Sequence, residues 1–271
     1  MELLQSILLG IIQGITEFIP VSSSGHLVLG QLFLGIEPHE NIVMEVVLHL
    51  GTGIAIIIVF WKDILHLVKN SFSPDHQIRN EALKYNSWII IGSIPAAIVG
   101  IGFKDTIDAN FSNPYISASM LIVTALFLFF SSMRNNTEGK LTLYKVIAIG
   151  IFQAFAITPG ISRSGSTIAI ALLIGVSRKE SGRFSFLLSL PAVFGAGLLY
   201  ASDITEITVS ATSLFAGFIF SLVVGVLSLK LLLNFVRRGK LYYFGYYCAA
   251  VGVITLIYLT VFTPSPIFNP S

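Results

Sequence analysis

Residues 13–26 have the sequence QGITEFIPVSSSGH, which places an acid, a histidine and three consecutive hydroxyl groups inside strongly apolar sequence. A related stretch, Gln153 to Thr167, lies 140 residues further along the chain. When the chain is aligned with itself at that offset, positions 10–36 match positions 150–176 at eight places. The match indicates an internal duplication.

The two copies share a polar core and differ in the ionisable groups around it. The Ser-x-Ser-Gly core at 22–25 recurs at 162–165 in the same register. The first copy adds Glu17 and His26, whereas the second adds Arg163. We interpret the two stretches as a duplicated hairpin whose copies carry complementary chemistry.

The composition is that of a chain dissolved in lipid. Apolar residues make up 54% of the sequence and charged residues only 11%, with a mean hydropathy of +0.84. A soluble domain carries about 25% charged residues, so much of this surface must face a bilayer. The single cysteine, Cys248, excludes a disulfide framework and a cysteine metal site. No nucleic-acid partner is expected.

Apolar segment lengths predict where the chain crosses the membrane. The pieces at 3–19 and 25–36 are each shorter than the roughly 20 residues of a full crossing, which favours a re-entrant hairpin with Pro20 at its turn. Full crossings are predicted at 42–61, 85–103, 115–133, 183–201, 211–233 and 241–262, and a second hairpin at 143–176. Polar loops are predicted at 62–84 and 134–142. Pro95 and Pro191 are predicted to kink the crossings that contain them.

Basic residues set the orientation. The loops within 62–84, 134–182 and 234–240, together with Arg183, carry thirteen lysines and arginines, and the other side carries only Lys104. By the positive-inside rule, both termini lie outside the cytoplasm. The three crossings between the hairpins then invert the second hairpin, so that the two tips meet near the middle of the membrane.

The sequence therefore predicts an all-α polytopic membrane protein formed by a single integral membrane domain over residues 1–271. It consists of two inverted-topology repeats, about 1–135 and 140–271, each a re-entrant helical hairpin plus three transmembrane helices.

The predicted meeting point has the groups needed to bind phosphate. An intramembrane Arg163 marks a functional site, and its planar fork of donors suits phosphate oxygens. The alternatives are a structural Glu17–Arg163 ion pair and close packing of small residues. The small and hydroxyl residues expected around the phosphate are Ser22, Ser24, Gly25, Gly160, Ser162, Ser164, Gly165 and Thr167.

The serine run also offers a nucleophile. One of the three serines caps the following helix, and another could attack phosphorus. His26 lies close enough in sequence to act as a base, as an acid or as the nucleophile itself. Glu17, with Gln13 one helical turn earlier, is predicted to bind a divalent cation, and Glu45 is a further candidate ligand.

These residues resemble the bacitracin-resistance family of undecaprenyl-diphosphate phosphatases. That family has an (E/Q)xxxE segment followed by a serine-rich turn and a histidine, and a PGxSRSxxT segment. Here they read Gln13 to Glu17, Pro20 to His26, and Pro159 to Thr167, the last matching at each fixed position. The resemblance extends along the whole chain. Gln13 stands where many members have glutamate.

The resemblance implies hydrolysis of undecaprenyl diphosphate to the monophosphate and inorganic phosphate. It implies a divalent cation (Mg²⁺ or Ca²⁺), a site opening to the outer face of a bacterial plasma membrane, recycling of the lipid carrier for peptidoglycan, and bacitracin resistance. Four positions fall on the family's catalytic residues: Glu17, Ser23, His26 and Arg163. Serine and histidine both remain open as nucleophile, and the oligomeric state remains open, a homodimer included.

Two other functions fit part of the pattern. A polyprenyl-phosphate flippase would use the same inverted repeats and midplane site, but it would need no nucleophile. The other membrane lipid-phosphatase superfamily also has a Ser-Gly-His segment, but it requires a histidine at position 169, where this chain has Ala169. That second alternative is rejected.

Overall fold

The structure, a computed structural model, describes residues 2–36, 42–111, 113–134, 138–201, 204 and 209–262, without the side chains of 29, 32, 33, 108, 111 and 262. Within these ranges the chain is helical and contains no β-strand. The helices are α1 (Leu3–Thr16), α2 (Ser23–Phe33), α3 (Ile42–Val59), α4 (Trp61–Ser71), α5 (His76–Gly102), α6 (Lys104–Phe111), α7 (Pro114–Ser132), α8 (Leu143–Phe155), α9 (Arg163–Leu173), α10 (Arg178–Ala201), α11 (Ala211–Arg237) and α12 (Tyr242–Phe262).

Six of these helices are long and apolar enough to cross a membrane, namely α3, α5, α7, α10, α11 and α12. Each coincides with a crossing predicted from the sequence, which confirms a multi-pass all-α membrane protein. Helices α1 and α8 are apolar but shorter. They are followed by α2 and α9, as predicted for the two hairpins. Helices α5 and α10 contain Pro95 and Pro191 and continue past them, so the predicted kinks stay a prediction.

The prediction of a polar loop over 62–84 is wrong. Helix α4 occupies most of its first half, and α5 begins at His76, where Asp75 accepts hydrogen bonds from the backbone N–H groups of Gln77 and Ile78 at 2.7 and 3.2 Å. Low hydropathy reports where a segment leaves lipid, not whether its backbone is helical. The stretch 104–114 contains the short helix α6 for the same reason.

Each hairpin turns through a tip that consists of a short non-helical segment and the first turn of the following helix. We call residues 17–26 the first tip and residues 157–167 the second tip. Ser22 has a φ of 69°, in the left-handed region, and Gly160 has a φ of 89°. A Cβ on Gly160 would overlap the backbone carbonyl of Ser117. The second tip therefore requires glycine both for its backbone angle and for its close approach to α7.

Each hairpin packs against crossings from the other half of the chain. Helix α1 lies along α11, and α8 lies along α5. The contacts are close because glycines face backbone: a Cβ on Gly14 would lie 2.9 Å from the amide nitrogen of Gly225, and Gly150 lies against Gly92. The tips are held by α12 and α7, which pack on each other. Because each hairpin packs on the other half of the chain, the two tips meet inside the protein.

Candidate active site

Glu17 and Arg163 form the contact between the two tips. Glu17 is the residue that ends α1, and Arg163 is the first residue of α9. Arg163 Nη2 donates to Glu17 Oε1 at 2.5 Å, and the side chains are 16% and 8% exposed. A charge-assisted contact of this kind, largely removed from water, fixes the two hairpins relative to each other. The predicted approach of these two residues is thus observed.

The second carboxylate oxygen of Glu17 is bound by the first hairpin itself. Glu17 Oε2 accepts a hydrogen bond from Ser23 Oγ at 2.7 Å and one from Gln13 Nε2 at 3.2 Å. His49 Nε2 lies 3.9 Å from the same oxygen. Glu17 is therefore surrounded by donors, and the hydroxyl hydrogen of Ser23 points at a carboxylate that can accept it.

His26 is held by two hydrogen bonds, neither of them to a serine hydroxyl. Its Nδ1 lies 2.9 Å from the carbonyl oxygen of Ser22, and since a carbonyl only accepts, Nδ1 carries the proton. In the neutral ring, Nε2 then accepts from the Oη of Tyr247 at 2.8 Å. The hypothesis that His26 is the base for a neighbouring serine is therefore not what these contacts show: Ser23 donates to Glu17.

The hydroxyl groups of the second tip are used to build the tip. Ser162 Oγ accepts from the N–H of Gly165 at 3.1 Å and so caps α9. Ser164 Oγ donates to the carbonyl of Phe18 at 2.9 Å, across the tip interface. Thr167 Oγ1 donates to the carbonyl of Arg163 at 2.9 Å. These three side chains position the backbone around Arg163.

The small residues of the two tips do not all have the same surroundings. A Cβ on Gly165 would lie 3.0 Å from Pro20 Cβ, so this glycine permits close packing of one tip on the other. A Cβ on Gly25 would meet only the Oγ of Ser22, at 4.0 Å, so Gly25 borders open space. Ser22 Oγ lies 3.2 Å from Ser24 Oγ. Space for a ligand is on the side of the first tip.

Two polar atoms at the junction are buried and unpaired. Within the described part of the chain, Arg163 Nη1 and Gln13 Oε1 have no hydrogen-bond partner. An unpaired buried donor or acceptor costs about 1–3 kcal/mol. Arg163 therefore has a free donor for an anion beside the Ser23 hydroxyl, and Gln13 has a free acceptor beside Glu17.

Comparison with known proteins identifies the family. Residues 6–254 match the family of the bacitracin resistance protein BacA. The chain belongs to the BacA family. It is 41% identical to the undecaprenyl-diphosphatase of Methanosphaera stadtmanae over 95% of this chain and 98% of the relative. The identity is 39% to that of Bacteroides fragilis (95% and 98% covered) and 40% to that of Halothermothrix orenii (97% and 100% covered).

The structure adds residues to this BacA-family site that the sequence interpretation missed. Tyr247 on α12 binds His26, and Thr124 on α7 accepts from the N–H of Ser162 at 3.1 Å and donates to the carbonyl of Gly160 at 3.3 Å. A tyrosine or threonine in an apolar helix is ordinary, so no local pattern distinguishes either one. His49 on α3 also reaches the site, with its Nε2 3.9 Å from Glu17 Oε2.

The side-chain oxygens at Glu17 and Gln13 meet part of what a divalent cation requires of its ligands. No group of three His, Cys, Asp or Glu side chains suited to a metal occurs among the described residues. However, Mg²⁺ typically takes only one or two carboxylates and completes its shell with substrate phosphates and water. The Glu17 carboxylate with the unpaired Gln13 Oε1 meets that requirement. Glu45 is held by the buried Gln31, whose Nε2 donates to Glu45 Oε1 at 3.0 Å.

Proposed function

We propose that this chain hydrolyses undecaprenyl diphosphate to undecaprenyl phosphate and inorganic phosphate. The reaction recycles the lipid carrier of peptidoglycan synthesis and gives bacitracin resistance. One observation carries the proposal: Ser23 and Arg163 bind opposite oxygens of Glu17, and Arg163 keeps an unpaired donor there. A nucleophile, its base and a phosphate-binding group are thereby assembled in one place, in a family whose relatives are named for this activity.

In the proposed reaction, the terminal phosphoryl group binds Arg163 through the free Nη1. Ser23 Oγ attacks the phosphorus as Glu17 Oε2 takes its proton. The bond to the bridging oxygen breaks, and undecaprenyl phosphate leaves. The departing undecaprenyl phosphate takes the proton from Glu17, which is thereby restored as a base. Glu17 then takes a proton from the water that attacks the phosphoserine, and this proton passes to Ser23 Oγ as inorganic phosphate is released. Positioning and charge stabilisation carry most of the barrier lowering in phosphoryl transfer.

His26 and Tyr247 form a second pair that can exchange a proton next to the first tip. Tyr247 is a positioning residue, because its hydroxyl fixes the orientation of the imidazole ring. A bound divalent cation, Mg²⁺ or Ca²⁺, would neutralise phosphate charge. Glu17 and Gln13 Oε1 would hold it, with Glu45 as a more distant carboxylate.

We further infer that the two halves are inverted-topology repeats in a bacterial plasma membrane, with both termini outside and the site open to the outer face. The sequence in which residues of paired helices meet supports the inversion. Gly10 lies against Gly217 and Gly14 against Gly225, so α1 runs parallel to α11. Gly150 lies against Gly92 and Ile157 lies 3.8 Å from a Cβ built on Gly100, so α8 runs parallel to α5.

The test is phosphate release from polyprenyl diphosphate by the purified full chain in detergent, with and without a chelator. Wild type should release phosphate. Glu17→Gln, which keeps the side-chain shape but removes the base, should lower release by about 10²–10⁴-fold. If a chelator abolishes phosphate release and Mg²⁺ or Ca²⁺ restores it, the proposal of a bound divalent cation is supported. If the protein transports polyprenyl phosphate but releases no phosphate with any cation, the phosphatase proposal is wrong and the flippase function takes its place.

A further inference from the structure

A cavity of about 70 Å³ lies away from the tips, where three helix ends meet. It is bordered by the α3–α4 junction, the first turns of α10 and the last turns of α11. Since about 10–15 Å³ of such volume is enough for one water molecule, the cavity has room for a phosphate group in place of several waters. We call it the basic pocket, and its charged lining residues are Asp63, Arg178, Lys179, Arg183 and Arg237.

The acidic groups at the basic pocket already have partners. Arg183 Nε lies 2.7 Å from Asp63 Oδ1, and its Nη1 lies 3.6 Å from Glu180 Oε2. The hydroxyl of Tyr85 donates to Glu180 Oε1 at 2.6 Å, and the Arg183 guanidinium stacks on the Tyr85 ring at 4.8 Å. Arg183 and Tyr85 thus compensate both carboxylates.

Three cations remain around the cavity without a compensating acid. In the ranges covered by the structure, Arg178, Lys179 and Arg237 make no ion pair. Arg178 is packed over the turn between α11 and α12: a Cβ on Gly239 would lie 2.8 Å from Arg178 Nη2. Gly239 also has a φ of 68°. The turn therefore keeps Arg178 at the cavity, where repulsion among like charges favours binding of an anion.

The remaining walls are apolar, which narrows the class of ligand that the basic pocket can bind. Phe60 is 6% exposed and Leu233 packs against the same core, so one side of the cavity is hydrocarbon. A free phosphate ion gains nothing from such a wall, whereas a lipid headgroup brings an apolar chain with it. Basic pockets between membrane helices are suited to anionic lipid headgroups. We propose that the basic pocket binds the phosphate headgroup of an anionic lipid.

Orientation in the membrane does not account for this arrangement. The positive-inside rule requires basic residues in the loops of one side, but it does not require them to converge on a cavity with an apolar wall. Basic residues of α4 and α5 provide the comparison, because they follow the same charge rule and lie outside the pocket: Lys69, Arg79 and Lys84.

The experiment is a lipid titration of the detergent-purified full chain, read by native mass spectrometry. Wild type should bind one phosphatidylglycerol at concentrations at which phosphatidylcholine does not bind. The triple variant Arg178→Ala, Lys179→Ala, Arg237→Ala should weaken this binding roughly 100-fold, since each cation near a lipid surface contributes about a fivefold factor. The matched triple variant Lys69→Ala, Arg79→Ala, Lys84→Ala should change it less than about threefold.

Three results would overturn the proposal: equal binding of the zwitterionic lipid, an equal loss in both triple variants, or saturation by inorganic phosphate with no lipid bound. A third variant guards against misfolding. Asp63→Asn removes an acid from the pocket wall, so it should strengthen binding of phosphatidylglycerol, an effect that general destabilisation does not produce. Weaker binding in Asp63→Asn would also contradict the proposal.

Discussion

The first and second tips share a pair of neighbouring serine hydroxyls and have opposite roles. In both, two serines separated by one residue have their hydroxyl oxygens 3.2 Å apart. The residue between them is Ser23 in the first tip and Arg163 in the second, at equivalent positions of the repeat. These two residues bind the two oxygens of one carboxylate, Glu17.

The difference shows how a duplicated hairpin separates binding from reaction. In the second tip, Ser162 and Thr167 bond within the tip and Ser164 bonds to the first tip, so the group that remains for a ligand is the guanidinium of Arg163. The first tip keeps Ser23 and His26 for proton exchange. A single copy would supply either the nucleophile or the phosphate ligand, and the exchanged packing of the hairpins supplies both.

Arg163→Gln should have the largest effect on this division. It leaves the buried carboxylate of Glu17 without the guanidinium that compensates its charge, and it removes the group that binds the phosphate. We expect phosphate release to fall by at least about 10³-fold and the free energy of unfolding to fall by about 3 kcal/mol. Release assays and denaturation in mixed detergent measure the two effects. Arg79→Gln, at an arginine outside both tips, is the control, and equal losses there would contradict the assignment.

Ser23→Ala should abolish turnover while leaving the fold intact. The alanine lacks the attacking oxygen, so phosphate release should fall about 10³-fold or more. Loss of the hydrogen bond to the Glu17 carboxylate should lower the free energy of unfolding by about 1.5–3 kcal/mol, which leaves the protein folded. Ser132→Ala, which removes a hydroxyl bonded only within α7, should keep wild-type release. Substantial release by Ser23→Ala would move the nucleophile to another residue.

Tyr247→Phe should have a moderate effect that acts through His26. Loss of one hydrogen bond of about 0.5–1.5 kcal/mol predicts a two- to tenfold fall in kcat with KM little changed. The pH–rate profile should change shape as well, because the ring loses the donor at Nε2. Tyr246→Phe, at a neighbouring tyrosine that packs on Phe129, should leave the profile unchanged. An unchanged profile in Tyr247→Phe would exclude the positioning role.

Ser164→Ala should have the smallest effect on activity. Its hydroxyl joins the second tip to the carbonyl of Phe18, so its loss should lower the free energy of unfolding by about 1 kcal/mol. Phosphate release should stay within about threefold of wild type. If Ser164→Ala instead lost release as completely as Ser23→Ala, the two tips would not differ in the way described.

The sequence predicted the crossings and hairpins because hydropathy reports directly on lipid contact. The approach of Glu17 and Arg163 was predictable from the repeat and from the charge asymmetry of the loops. The division of the Glu17 oxygens was not, because it depends on rotamers set by packing. Tyr247 and Thr124 reach the tips from helices distant in sequence, and such a contact has no local signal. Helix α4 was missed because polarity does not specify backbone conformation.

The central claim is that Ser23 of the first tip attacks a phosphoryl group held by the second. Rapid-quench turnover of polyprenyl diphosphate labelled at the terminal phosphorus, followed by peptide mapping, tests it most directly. We predict an acid-stable label on Ser23 that is absent in Ser23→Ala and in Arg163→Gln. An acid-labile label on His26, retained in Ser23→Ala, would contradict the account.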